Sequence, residues 1–571
     1  MDKENLYNIL FISSIVLALA DLYFSLILGQ NSNEIFYYGF LLVPVFIIFA
    51  VAFYKTKNNI KILKMVKYRF GKIEKKKKKN KGLERLFNLL KKDDYYIDEQ
   101  TAKDLNLKDI FESIDSTYTT PGEQSLYRIL RTPIFNEEEI IKRDKAINKL
   151  YENEEVRNKI GLVLAKIGKF KNNDATSILW ENPPKSTYLS MLAYVLFVVT
   201  LVALGSIPFL GKSSVLPITM VFIINMVLHN SFKKEVSKDF QSISIIGTVI
   251  EGAYRLKDIE DSDLNPIIEE LKKSKKLVGI SKKTATLGRI EGLDVLGDYV
   301  KILFLADELS YSMVIKDVNK YREEIKALYF NLGMLDAYIA IASYRKSLKK
   351  YTIPEFGSVK LEIVDMIHPL IDEPVSNSIN VEGSGMIITG SNMSGKSTFL
   401  RTLGVNVLFS QTIITCLCEK YSGPFLKVIT SISPDDNIMG GKSYYLAEAE
   451  ALLRIINETG EVPILCLVDE IFRGTNPLER INAATEILDY LAENNAISIV
   501  ATHDKELTEL TQNHYGLYYF TESVTEKGLS FDFKIRNGVT NTRNAIKLLE
   551  FMGYPKEIIE NTNIRIENNK N

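Results

Sequence analysis

The sequence predicts a multidomain protein in which a largely α-helical region, interrupted by helices fit to cross a bilayer, leads into a C-terminal α/β domain of the P-loop, ABC-like type. Three observations carry this expectation. The chain has 571 residues, too many for one core at about 150 residues per domain. Four apolar stretches, arranged as two pairs, break an otherwise polar background. Near residue 390 a short apolar strand runs into a Gly-rich loop and then a helix.

The apolar stretches run from Leu6 to Leu28, Ile35 to Tyr54, Tyr188 to Leu204 and Val215 to Leu228. Each approaches the roughly 20 residues that span a hydrocarbon core, although the fourth is short and contains Pro217. A signal peptide is the competing reading of the first. It is opposed by the missing small-residue cleavage site and by the second span only a few residues on. The connection from Gly29 to Glu34 has no Lys or Arg, whereas Lys55, Lys57, Lys61, Lys64, Lys67, Arg69, Lys72 and the run Lys75 to Lys79 follow the second span. The positive-inside rule therefore places both ends of the first hairpin in the cytoplasm. Lys185 before the third span and Lys233 and Lys234 after the fourth give the second hairpin the same orientation. The expected location is the cell membrane, multi-pass, with the C-terminal domain in the cytoplasm. Within the spans Asp21 is the charged residue to note.

The boundaries follow. Residues 1–54 form a transmembrane hairpin, 55–103 a basic cytoplasmic linker, 104–350 a helical region interrupted by the second hairpin at about 188–228, and 351–571 the α/β domain. Three readings of the basic segment stay open: a solvated flank that fixes topology, attraction to anionic lipid, and contact with nucleic acid. Overall charge does not choose, because 71 basic residues balance 71 acidic ones. Cys416, Cys418 and Cys466 are too few and too close for a disulfide framework and read as small buried side chains. Between 104 and 170, apolar and charged residues alternate at helical spacing, punctuated at Thr119-Thr120-Pro121-Gly122 and Arg131-Thr132-Pro133 by turn and helix-start signals.

Met386 to Thr389 reads as a buried strand. Gly390-Ser-Asn-Met-Ser-Gly-Lys-Ser397 then satisfies the pattern G-x-x-x-x-G-K-[ST]. Strand, loop and helix are the required context, since successive backbone N–H groups and the helix N-terminus converge on phosphate oxygens. The loop residues Gly390, Asn392, Met393, Ser394, Gly395, Lys396, Ser397 and Thr398 are thus the candidate nucleotide contacts. Lys396 would pair with the β- and γ-phosphates and Ser397 would ligate Mg²⁺. Ile464 to Glu470 is an apolar strand ending in two carboxylates. Asp469 is placed to hold the metal shell and Glu470 to act as general base. A third strand ends at His503, which could contact the γ-phosphate or the attacking water. ATP and Mg²⁺ are the expected cofactors.

Finer text resembles the MutS family. Asn392-Met393 within the loop, Asp436-Asn-Ile-Met-Gly-Gly-Lys-Ser443 with Glu448 after it, Asp469-Glu-Ile-Phe-Arg-Gly-Thr-Asn476, Ala501-Thr-His503 and His368-Pro369 all match that family's pattern. Upstream, Ser116 to Leu126, Leu130-Arg-Thr-Pro133, Glu139 to Arg143 and Leu332-Gly-Met-Leu-Asp336 are similar to the start and end of its helical core. The resemblance runs from about Asp104 to the C-terminus. It implies a composite site in which Ser443 reaches the nucleotide of a second subunit, hence a homodimer that closes on ATP and reopens on hydrolysis. It also implies an adenine pocket, with Val375 and Phe533 at the corresponding positions, and closing helices after Arg536-Asn-Gly538 that dock the dimer.

The chain departs from the family where mismatched DNA is read. Neither a Phe-x-Glu wedge domain nor a connector domain precedes the core, and no clear DNA-clamp domain lies between the levers. Two functions follow as expectations: a membrane-tethered ATPase whose dimeric clamp handles mismatched or structured DNA, or an ATP-driven module acting on a membrane or an unidentified protein partner. A transporter is disfavoured, since the Leu-Ser-Gly-Gly-Gln signature is absent.

Overall fold

The computed structural model describes residues 2–31, 34–73, 82–91, 95–170, 175–181, 183, 188–287, 295–381, 383–391, 393–432, 444–472, 476–525, 528–539, 549 and 552–568. Helices α1 (Lys3–Asn31) and α2 (Val43–Arg69) form the first hairpin. They meet along small buried residues of α1, Ser14, Ala18, Ser25 and Gly29, which let two helices approach without an aqueous hydrophobic drive. The rest of the hairpin surface is apolar and turned outward: 17% of the most apolar window of α1 is buried, and 6% of that of α2. The basic half of α2 continues the same helix. Lys57 donates to Asn8 Oδ1 at 2.6 Å and Val66 is buried against Gly161.

The segment expected as a linker over 55–103 is, where described, folded into the molecule. Leu86, Phe87 and Ile97 are buried in the main core, and a fully buried Phe contributes on the order of 1.5–3 kcal/mol. Helix α3 (Glu99–Asp104) starts at Asp98, whose carboxylate accepts from Thr101 N. Its apolar and small residues were hidden from the sequence reading by the surrounding lysines.

Helices α4 to α6, in chain order, open the core. Helix α4 (Thr120–Arg131) has Thr119 as N-cap and Pro121 in its first turn. Arg131-Thr132-Pro133 ends that helix rather than starting the next. Helix α5 (Glu137–Glu152) begins after Asn136, and α6 (Glu154–Ile167) after Asn153, each Asn side chain accepting a backbone N–H. Helix α7 (Tyr188–Gly205) and α8 (Val215–Leu256) form the second hairpin. Pro217 sits in the first turn of α8, where its missing N–H costs nothing, and the helix runs past Leu228 for 42 residues in all. A short helix outside the expected spans, α9 (Val295–Phe304), lies along the hairpin. Tyr299 faces Phe222 at 6.1 Å and Phe304 faces Phe197 at 6.4 Å. It turns at Leu305 into α10 (Ala306–Lys320) and then α11 (Arg322–Ser347). Helix α11 is also long and apolar enough to span a membrane, but 78% of its apolar window is buried inside the protein. It is the central lever.

Helix α11 crosses α4 closely. A Cβ on Gly333 would lie 2.5 Å from Pro121 O, and one on Gly122 2.1 Å from Asp336 Oδ2. Asp336 is fully buried and accepts from Tyr118 N, Thr119 N and Thr119 Oγ1 at 2.6–3.1 Å, so a lever carboxylate caps the start of α4. Burial nevertheless pushes its pKa up to about 6.

The C-terminal domain carries two principal sheets. Strands β1 (Glu355–Phe356), β2 (Leu361–Met366), β3 (Asn377–Val381) and β5 (Lys420–Gly423) form one in the order β1-β5-β2-β3. The other is β12-β9-β4-β8-β7-β6, built from β4 (Gly385–Thr389), β6 (Lys427–Ser431), β7 (Ile464–Asp469), β8 (Ala496–Ala501), β9 (Gly516–Tyr519) and β12 (Arg536–Asn537). It is parallel except for β12. A hairpin, β10 (Glu522–Thr525) and β11 (Gly528–Phe531), extends from it. Central β7 is buried along its whole length, as a strand covered on both faces must be. Edge strand β6 is covered by the segment before α4. Tyr95 donates to Val428 O, Thr101 Oγ1 accepts from Thr430 N, and buried Asp104 accepts from Thr430 Oγ1 and Ile432 N. This blunts an edge that could otherwise recruit another chain.

Candidate functional site

Register brings the candidate residues to one level. Ile388 of β4 pairs with Ala501 of β8, and Ala501 pairs with Asp469 of β7. The three following turns, at Gly390, Thr502-His503 and Glu470, therefore open side by side at the carboxyl ends of parallel strands, where α/β sheets bind ligands.

The loop after β4 folds tightly onto helix α12 (Lys396–Thr412). Gly390, Met393 and Gly395 all have positive φ, at 146°, 73° and 110°. A Cβ on Gly390 would stand 2.8 Å from Phe520 O, so only glycine fits there. Ser394 is buried and donates to Ser391 O at 2.8 Å, closing the turn. Ser391 donates to Glu522 Oε2 at 2.5 Å. Met393 sits at the loop tip with its side chain exposed; its backbone, not its thioether, shapes the cradle. Asn392 and Ser443 lie outside the described residues.

Lys396 is buried, and its ammonium donates to Gly390 O at 2.7 Å and Ser391 O at 2.9 Å. Ser397 Oγ donates to Asp469 Oδ2. A hydroxyl and a carboxylate thus meet at one point, an all-oxygen pair suited to a hard cation such as Mg²⁺. Glu470 follows with φ 62°, a left-handed conformation that costs a non-glycine residue of order 1–3 kcal/mol and clusters at working sites. That twist aims its carboxylate at His503, whose Nε2 is 3.2 Å from Glu470 Oε1 and 3.3 Å from Lys396 Nζ. The nitrogen can donate to Glu470 or accept from Lys396, not both at once. Lys396, Ser397, Asp469, Glu470 and His503 are thus brought together as the sequence predicts.

Beside the loop lies a cavity of about 300 Å³ lined by His368, Val375, Asn377, Gly395, Thr398 and Phe533, among others. Val375 and Phe533, assigned together only by resemblance, do face one space. Sequence reasoning missed the residue that holds Phe533 there. Asn377 on β3 donates through Nδ2 to Phe533 O at 3.0 Å and accepts from Ile535 N at 2.9 Å, fixing a residue whose φ is 54°. No spacing rule could reveal a strand of the other sheet as its support. His368 is buried beside the cavity. Its Nδ1 accepts from Leu370 N and its Nε2 has no protein partner. Desolvation, then the positive charge of Arg401, lowers its pKa to about 4, so the ring is neutral with its proton on Nε2.

The residues fit a magnesium nucleotide. The glycine-shaped loop turns into the N-terminus of α12, the Ser397–Asp469 pair supplies oxygen ligands, and the flanking cavity is lined by Val375 and Phe533 with His368 beside it.

Comparison with known proteins agrees with this geometry. The family model for MutS domain V matches residues 386–568. The DNA mismatch repair protein MutS of Fervidobacterium nodosum is 29% identical over 266 residues, 45% of this chain and 32% of the relative. That of a Thermotoga species is 30% identical over 268 residues, 34% of its length. With the same protein of Petrotoga mobilis the alignment reaches 81% of this chain at 25% identity, and 64% of the relative. The first of these relatives are thus matched over about a third of their length. Domain V spans the P-loop, carboxylates and histidine described above, and the longer alignment extends the similarity to MutS proteins into the helical region before it.

Proposed function

We propose that this chain is a membrane-anchored ATPase that couples ATP binding and hydrolysis to closure of a dimeric clamp on DNA. The observation that carries the reading is the convergence of Ser397 with Asp469 and of Glu470 with His503 beneath the Lys396 loop. The family supports the chemistry, since MutS members are ATPases. The relatives' name, DNA mismatch repair protein, supports DNA as the clamped partner.

In this reading Ser397 and Asp469 would hold Mg²⁺, which would supply charge screening for the phosphates. Lys396 leaves the Gly390 and Ser391 carbonyls for the phosphates. Glu470 orients and deprotonates the attacking water, and His503 holds Glu470 in place by donating to it. Val375 and Phe533 would hold the base in the cavity they line together with His368. Ser443, carried in a segment that follows β6, completes the site of the opposite subunit. The two apolar hairpins cross the cell membrane and keep the ATPase domain in the cytoplasm, supported by the outward apolar surfaces of α1, α2, α7 and α8.

The test uses the full chain in nanodiscs. ATP turnover should vanish in Glu470→Gln and Lys396→Ala, and Ser443→Ala should impair it. A panel of duplex, mismatched and branched DNA, with and without ATP, should show binding that weakens steeply with salt. Failure to bind any DNA at low salt would favour a second reading, an ATP-driven module acting on a membrane or protein partner. A specific feature favours that alternative: α11 joins the hairpin-bearing bundle directly to the end of the P-loop helix through Arg345.

A further inference from the structure

The second hairpin holds a polar interior that the four apolar segments do not suggest by themselves. Helix α9 runs beside α8 in the same direction, so Tyr299 lies level with Phe222, Leu303 with Asn225 and Glu308 with His229. The chain breaks at Leu305, fully buried with φ 48°, a conformation costing a branched side chain roughly 1–2 kcal/mol. The break frees the Leu303 carbonyl, which accepts from Asn225 Nδ2 at 2.7 Å and lies 3.2 Å from Thr200 Oγ1. Because a carbonyl cannot donate, Asn225 must turn its nitrogen toward it. That leaves Asn225 Oδ1 buried with no partner. One helical turn further along α8, His229 Nδ1 lies 2.8 Å from Glu308 Oε1, and the second oxygen of that fully buried carboxyl, Oε2, also has no partner.

Helix-to-helix polar glue would satisfy its own donors and acceptors. Here two fully buried acceptors remain without a partner on adjacent turns. Each such orphan costs about 1–3 kcal/mol, more where the group is charged. Both oxygens ask for the same thing, a proton or a cation. A divalent metal is not what they would hold, since no group of three or more His, Cys, Asp or Glu suited to a metal occurs among the described residues. The titratable groups around Asp307, the residue before Glu308, are Lys301 from α9 and His229 and Lys233 from α8, while α7 contributes the neutral Thr200, which accepts from Asn225 Nδ2.

We propose that Glu308 Oε2 and Asn225 Oδ1, at the break between α9 and α10, bind a small monovalent cation, either a proton or Na⁺, inside the second hairpin. The proposal rests on the membrane reading given above. It makes the hairpin a ligand-binding element as well as an anchor, and one directly continuous with the lever, since Glu308 stands two residues into α10 and α11 follows.

The test is labelling with dicyclohexylcarbodiimide, which attacks protonated carboxyls in apolar surroundings, on full-length protein in nanodiscs, with the labelled peptide located by mass spectrometry. Glu308 should be labelled. For a proton site, labelling should fall about tenfold per pH unit on the alkaline side of its titration and ignore salt. For a sodium site, NaCl should suppress it at fixed pH and KCl should not. Asn225→Leu should shift the midpoint of whichever dependence is found. An unlabelled Glu308, labelling indifferent to pH and both salts, or an unshifted midpoint in Asn225→Leu would overturn the proposal, leaving a buried water as the shared partner. Carbonate extraction of membranes tests the anchor separately. Release of the chain would remove the membrane reading while the same labelling, on purified protein, still decides the cation site.

Discussion

Arg345, fully buried near the end of helix α11, donates through Nη2 to the carbonyl oxygen of Ile414 at 2.7 Å, two residues beyond the end of the P-loop helix α12. The same guanidinium reaches Thr415 Oγ1, Asn148 Oδ1 and Asp144 Oδ1. One side chain therefore ties the lever, helix α5 and the back of the nucleotide loop together. Its planar fork serves four directions that an ammonium cannot.

Arg345→Ala is expected to destabilise the protein by about 3–5 kcal/mol, because it strands Asp144 and two carbonyls in the interior. Arg345→Lys should recover only part of this. Thermal unfolding followed by tryptophan fluorescence would check it, and an unchanged midpoint in the Ala variant would remove the tie from the list of structural supports.

Glu470→Gln should keep nucleotide binding and lose turnover by roughly 10²–10⁴-fold, the usual contribution of a positioned general base. Lys396→Ala should lose binding as well. Fluorescent-nucleotide titration beside a phosphate-release assay separates the two, and a Glu470→Gln enzyme turning over normally would unseat that residue.

Phe533→Ala should raise KM for ATP with kcat little changed, since stacking on the base acts equally on ground and transition states. Losing one stacking face is worth about 1–3 kcal/mol, so a rise of about five- to 150-fold is expected. Asn377→Ala should give a smaller shift in the same direction, by freeing the loop that carries Phe533. A fall in kcat without a KM change would contradict the assignment.

Acid should erode stability through His368. Its pKa in the folded protein is lowered to about 4 by burial and by Arg401, below the ordinary value near 6.5. The folded state thus holds fewer protons than the unfolded one between those values. The contribution is complete above pH 6.5 and is lost as pH falls toward 4, by about 3 kcal/mol at most. His368→Gln should flatten this part of the pH–stability curve, whereas a curve of unchanged slope would show that the ring titrates freely.

The chemistry of the site was legible because each part is a contiguous string: Met386 to Ser397, Ile464 to Glu470 and Ser498 to His503 each combine a buried strand with the polar residues that follow it. Hairpin positions were legible for the same reason. What was not legible depends on partners far along the chain. Asp336 lies in a stretch matched to the family, yet its work as the cap of α4 appears only when Thr119, 217 residues away, is brought to it. The segment 55–103 looks like a basic linker because lysines dominate its composition, while Phe87, Ile97 and Thr101 make its contacts. Helix α9 falls in a stretch read as helical, but its place along the second hairpin was not legible, since Lys301 and Asp298 interrupt its apolar residues and its neighbours on α7 and α8 cannot be inferred from a ten-residue window.

Helix α8 has a mechanical consequence. Forty-two unbroken residues make a rod about 63 Å long, one end in the apolar hairpin and the other wedged against α6 and α11. A rod that stiff cannot absorb motion at one end; it tilts. Swinging it by ten degrees about its middle would carry each end through about 5 Å, roughly the rise of one helical turn. Displacements too small to notice at the nucleotide loop would then arrive at the hairpin as changes in the spacing of its helices.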